Sequence, residues 1–145
     1  MNVKLHTLDQ KFERLKEQVL RLKKIKSEVS SVRDLEKGSD REILAERYFQ
    51  IALEAVLDIG RMIISAENLE RPEINDDVFT ILSRAKIIPE TFAKKAYGMG
   101  RFRNILVHGY MIIDEKRIFE NLQRLNLFEE YISYIREYIN STYEK

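Results

Sequence analysis

The chain contains no cysteine, which removes disulfides, thiolate nucleophiles and cysteine-ligated zinc and agrees with a reducing compartment. Proline and glycine are scarce, at two and five in 145 residues, while 44% of residues are hydrophobic and 34% charged. That balance excludes a disordered chain and suits a mainly helical one. Neither charge sign dominates: 25 basic and 24 acidic side chains leave a net charge of +1, so any basic surface must be local. No apolar run approaches the roughly 20 residues that span a bilayer, and Met1 to His6 opens a charged amphipathic pattern instead of a signal core. The length fits one domain, residues 1–145, and the expected address is the cytoplasm without a membrane partner.

What is present is helical periodicity. Leu5, Leu8, Phe12, Leu15, Val19 and Leu22 alternate at intervals of three and four, an apolar seam that suits a bundle helix or a partner-facing coiled coil. Ser39 and Glu42 form a capping-box pair, predicting a second helix from near Asp40. From Ile43 to Ile64 apolar residues are frequent enough that more than one face must be covered, with Asp58 and Arg61 breaking the pattern as a local ion pair or a polar cleft lining. Asn75 is expected to cap a short helix through about Lys86, and Pro89 to start another that runs through Leu106 and is ended by Gly109, in which Gly98 and Gly100 permit a kink or a close approach. A last helix is expected from near Asp114 to Ile139. The fold class is therefore all-α, an up-and-down bundle of four to five helices.

Chemistry concentrates in Arg103-Asn104-Ile105-Leu106-Val107-His108-Gly109-Tyr110. On a helix turning about 100° per residue, Arg101, Asn104 and His108 share one stripe, whereas Arg103 lies about 140° from His108. Arginine and histidine then meet only if the helix loosens, the arginine curls round, or the two come from different subunits. Imidazole exchanges protons near neutral pH and guanidinium grips two phosphate oxygens, a pairing suited to phosphodiester cleavage. One histidine cannot easily act on both sides of phosphorus, so a two-fold dimer with two copies of His108 in one cleft would supply base and acid. Near a helix C-terminus the same pair also complements the dipole and caps carbonyls, and spacing alone does not choose.

The segment Arg103, four residues, His108, Gly109, Tyr110 resembles the Arg-x4-His-x-Tyr motif of the HEPN superfamily, in the form found in HepT toxins. Ala45 to Gly60 resembles that family's central helix, and Met99 to Asn104 the approach to its motif. The resemblance implies a bundle that dimerises with its motifs facing each other. It implies a metal-independent endoribonuclease toxin of a type VII-like pair, leaving 2′,3′-cyclic phosphate and 5′-hydroxyl ends on an RNA such as tRNA or mRNA. Arg103 and His108 would be catalytic, with Asn104, Asp58 and Arg101 in support. The partner would be a minimal nucleotidyltransferase antitoxin that transfers AMP from ATP to Tyr110, the toxin itself needing no cofactor. The alternative is a non-catalytic helical binding subunit of such a nucleotidyltransferase.

Other candidates are weaker. His6 has no second histidine nearby to form a metal site, and none is expected. Gly98-Met99-Gly100 lacks the strand and spacing of a phosphate loop. Tyr131, Tyr134 and Tyr138, at helical spacing, read as interface or surface aromatics ahead of base-stacking groups.

Overall fold

The computed structural model describes residues 4–108 and 114–142, and all regular structure among them is helical. Helix α1 (Leu5–Glu28) leads through a 3-10 turn (Val32–Leu35) to α2 (Asp40–Ala66). Then come α3 (Asp77–Arg84), α4 (Glu90–Ala96), α5 (Met99–His108), α6 (Glu115–Leu122) and α7 (Asn126–Thr142). Two of the five expected helical segments are broken, which gives seven. The first break is at Tyr97 and Gly98, where Gly98 takes φ +102°, a conformation costly for a residue with a Cβ. The second follows α6, where Gln123 N and Arg124 N each bond three residues back, to the Glu120 and Asn121 carbonyls at 3.1 Å, and tighten the chain before α7.

Helix α2 is the hub, touching α1, α3, α5 and α6. Its residues Ala45, Phe49, Leu53, Val56, Ile59 and Ile63 are buried, as its dense apolar pattern requires, although Ile43 and Leu44 remain 52% and 44% exposed. The α1 seam is used inside the bundle: Leu8, Phe12, Leu15, Val19 and Leu22 are buried and α1 packs on α2. At the α2 start, Ser39 Oγ accepts from Glu42 N at 3.3 Å. The Glu42 carboxylate reaches back to Gly38 N at 3.1 Å, one residue before the amide a capping box uses. Tyr131 departs from the expectation of a surface aromatic. It is 1% exposed, donates its hydroxyl to the Val56 carbonyl at 2.8 Å, and burial raises its pKa. Gly60 makes the room for the buried phenol, since a Cβ on it would meet Val78 and lie 3.0 Å from the Tyr131 oxygen. Among the described residues no helix is long and apolar enough to cross a membrane.

Candidate functional site

Helix α5 is anchored at its first turn by a residue outside it. The Asp76 carboxylate, on a residue 5% exposed, accepts from Gly98 N at 3.0 Å and Gly100 N at 2.9 Å, satisfying amides that a helix start leaves open. The approach depends on residue 100 having no side chain: a Cβ there would stand 2.6 Å from Asn75 Cβ and 2.8 Å from Asp76 N. The expectation that Asn75 caps α3 is corrected here, because the N-cap position is Asp76 and makes no side-chain bond to that helix. The turn before α3 is instead closed by the Asp77 carboxylate, which accepts from Glu73 N at 3.0 Å and Ile74 N at 3.1 Å. Asn75 is left to face α5.

One turn along α5, Asn104 Oδ1 accepts from Asn75 Nδ2 at 2.9 Å and from Arg103 Nη1 at 3.2 Å. Asn75 Oδ1 in turn accepts from Arg61 Nη2 on α2. On its other side, Arg103 Nη2 faces Glu54 Oε1 at 3.7 Å, and Gln50 Nε2 donates to the same oxygen at 3.4 Å. The guanidinium is thus held between a carboxylate and an amide while its side chain stays 29% exposed. A half-exposed pair of this kind contributes about 0–1 kcal/mol, so Glu54 aims Arg103 without withholding it from a phosphate that it can grip bidentately.

The remaining predicted residues are distributed around this network. α5 stays helical through His108, whose side chain is exposed in the last turn. The helix does not loosen between Arg103 and His108, so their separation of about 140° around the axis persists. Asp58 accepts from Lys11 Nζ of α1 at 3.1 Å, which settles its alternative: it is paired across helices and not with Arg61. Asp58 and Arg61 line a cleft of about 500 Å³ together with Lys4 and Lys11. Arg101, exposed, lines a different cleft of about 210 Å³ beside Arg117 and Arg124. Gly109 and Tyr110 lie outside the described residues. Among the described residues no group of three or more His, Cys, Asp or Glu side chains is placed to hold a metal ion.

A guanidinium held between a carboxylate and an amide, and an exposed imidazole on the same short helix, suit a phosphodiester. The family described as "Ribonuclease HepT-like" matches residues 15–136. The chain belongs to the HepT-like ribonucleases. It is 28% identical over 116 residues to the tRNA nuclease HepT of Aphanizomenon flos-aquae (strain 2012/KM1/D3), a match spanning 80% of this chain and 77% of that protein. Among solved structures it is similar to a tri-AMPylated Shewanella oneidensis HEPN toxin in complex with MNT antitoxin. That likeness has a TM-score of 0.79 at 23% identity and covers 90% of this chain and 96% of that one. It is also similar to YutE from Bacillus subtilis, a cytosolic protein of unknown function, with a TM-score of 0.83 at 17% identity over 99% and 95% of the two chains. At these identities the structural likenesses show the fold.

Within this HepT-like ribonuclease, sequence reasoning missed the part that three residues play around Arg103 and the start of α5: Glu54, Asn75 and Asp76. Glu54 left a signal, since Gln50, Glu54, Asp58 and Arg61 recur at helical intervals as a polar stripe on the otherwise apolar stretch of α2 that runs to Ile64. Asn75 and Asp76 precede α3 and look like ordinary caps. Their true partners are 14 to 29 residues away, and no local pattern reports that.

Proposed function

We propose that this HepT-like chain is the metal-independent endoribonuclease toxin of a type VII-like pair, with Arg103 and His108 as its catalytic residues. The observation that carries the reading is the setting of Arg103: Glu54 and Asn104 hold its guanidinium at a half-exposed surface on the helix that ends in His108. In the reaction a base removes the 2′-hydroxyl proton, the 2′-oxygen bonds to the adjacent phosphorus, the bond to the 5′-oxygen breaks, and an acid protonates that oxygen. The products are a 2′,3′-cyclic phosphate and a 5′-hydroxyl. Arg103 stabilises charge developing on the phosphorane oxygens. Asn104 positions the guanidinium, with Asp58 and Arg101 as outer charges.

Base and acid are needed on opposite sides of phosphorus. A homodimer that brings two copies of His108 into one cleft supplies both, and the unbroken helix from Met99 to His108 favours such an arrangement over one in which a single protomer bends to join Arg103 and His108. The partner is a minimal nucleotidyltransferase that spends ATP to place AMP on Tyr110. Negative charge and bulk two residues from His108 then repel an RNA phosphate and close the cleft. The substrate is a cytoplasmic RNA, of which tRNA is the first to test because the curated relative is a tRNA nuclease. Purified protein incubated with tRNA and EDTA should release fragments ending in cyclic phosphate. No cleavage by unmodified wild type, or undiminished cleavage by His108→Ala, sinks the reading. Mass spectrometry after co-expression with the nucleotidyltransferase should show AMP additions that disappear in Tyr110→Phe.

A further inference from the structure

The chain as a whole is nearly neutral, so a local excess of one charge is informative. Many of its surface cations are paired, as Lys11 is with Asp58, Arg21 with Glu17, Arg84 with Glu70 and Arg136 with Asp9. The cleft beside α5 and α6 differs. It gathers Arg101, Arg117 and Arg124, and among the described residues none of the three has a carboxylate partner. Arg124 donates instead to the Lys95 carbonyl, and the one acid lining the cleft is Glu120. At its rim stands Tyr97, 59% exposed, which also borders a broad groove between α3, α4 and α7.

We propose that the Arg101, Arg117 and Arg124 cleft, with Tyr97 at its rim, carries a single-stranded stretch of RNA toward His108; this rests on the ribonuclease reading above. Three observations favour a nucleic-acid strand over other occupants. The cleft volume, about 210 Å³, falls below the roughly 300–1,000 Å³ of small-molecule sites, so it suits backbone phosphates passing over it better than an enclosed metabolite. An exposed tyrosine ring on a cationic cleft, as Tyr97 is, is what base stacking uses, because any base presents a π-face. Finally, Arg101 lies seven residues before His108 on the same helix, about 20° around and about 10 Å along it, a span of about three stacked nucleotides.

The broad groove, about 1,170 Å³, is larger but weaker as a phosphate site. Of its three cations, Arg84 and Lys94 face Glu70 at 2.8 Å and Glu90 at 3.5 Å, and the charge of the third, Lys86, is offset by Glu137 on the same groove. It offers room for the strand beyond Tyr97 and little net attraction.

The test uses full-length protein carrying His108→Ala, so that RNA survives, and a fluorescein-labelled single-stranded oligoribonucleotide read by anisotropy across a salt series. Each phosphate contact contributes about 0.7 to the log–log salt slope for single strands, so Arg101→Ala with Arg117→Ala should make the slope shallower by about 1.4. Tyr97→Ala should weaken binding about 5- to 100-fold with little sequence preference. In the His108 background of the wild type, the arginine pair should lower cleavage of the same RNA in step with binding. If wild type cleaves but the arginine variant binds with an unchanged slope and cleaves normally, the cleft does not carry RNA. If that variant keeps RNA and loses only neutralisation by the co-expressed nucleotidyltransferase, the cleft belongs to a protein partner and the proposal is overturned. A wild type that neither binds nor cleaves RNA refutes the ribonuclease reading itself.

Discussion

Replacing Gly100 by alanine sets two effects of opposite sign against each other. Alanine in a helix is favoured over glycine by about 0.5–1 kcal/mol, so on propensity alone the variant gains stability. Against this, the new Cβ would lie 2.6 Å from Asn75 Cβ and 2.8 Å from Asp76 N, where ordinary contact begins at 3.4 Å. The segment must therefore retreat by about 0.8 Å on one contact and 0.6 Å on the other, and one of the obstructing atoms is backbone, which cannot rotate away. Overpacking of this kind costs about 1–3 kcal/mol. The retreat also stretches the Asp76 bonds to Gly98 N and Gly100 N and draws Asn75 from Asn104. We expect a net loss of about 1–2 kcal/mol, a fall in Tm of roughly 3–7 °C for a chain of this size. Cleavage should fall further than stability, by about a hundredfold, because a misplacement near 1 Å is enough for that. Denaturation followed by circular dichroism and RNA cleavage below the transition read both quantities. A Gly100→Ala protein more stable than wild type and fully active would refute the close approach of α5 to Asn75 and Asp76.

Other predictions concern the charges and the buried phenol. Arg103→Ala should reduce cleavage about 10²- to 10³-fold with little change in Tm, since the lost pair with Glu54 is half exposed; a large stability loss would mean that Arg103 is structural. Asn75→Ala should lower cleavage while leaving RNA affinity close to wild type, because Asn75 acts through Asn104 and Arg103; a pure affinity defect would count against a positioning role. Tyr131→Phe loses a buried hydrogen bond of 2.8 Å and about 1 kcal/mol near neutral pH. Burial raises the Tyr131 pKa above its ordinary value of 10.0, so as pH rises past 10 the unfolded phenol ionises first and wild-type stability falls. The phenylalanine variant should therefore show a flatter alkaline limb in urea midpoints measured between about pH 9 and 11. An equal slope would place the phenol in water.

Much of the fold was legible because its signal is periodic. The α1 seam and the crowded face of α2 announce burial, and Gly98 with Gly100 marks the place where a helix breaks and a neighbour comes close. The split into α6 and α7 was not legible, because apolar spacing continues across it. Tyr131 was misread since a tyrosine at helical spacing looks the same whether its hydroxyl meets water or the Val56 carbonyl. For the candidate site, Arg103, Asn104 and His108 stood out by their types and order. Glu54 and Asn75, which aim the arginine, depend on tertiary pairings that a linear pattern does not carry.

The pairing of two His108 copies in one cleft is open to a single titration. Wild-type chain and His108→Ala chain are co-refolded at varying ratios, and RNA cleavage in EDTA is measured at constant total protein. If each cleft needs both histidines, mixed dimers are inactive and the rate follows the square of the wild-type fraction, about a quarter of full activity at an equal mixture. A rate of about half at that point, linear in the wild-type fraction, or no cleavage by wild type alone, would contradict the shared site.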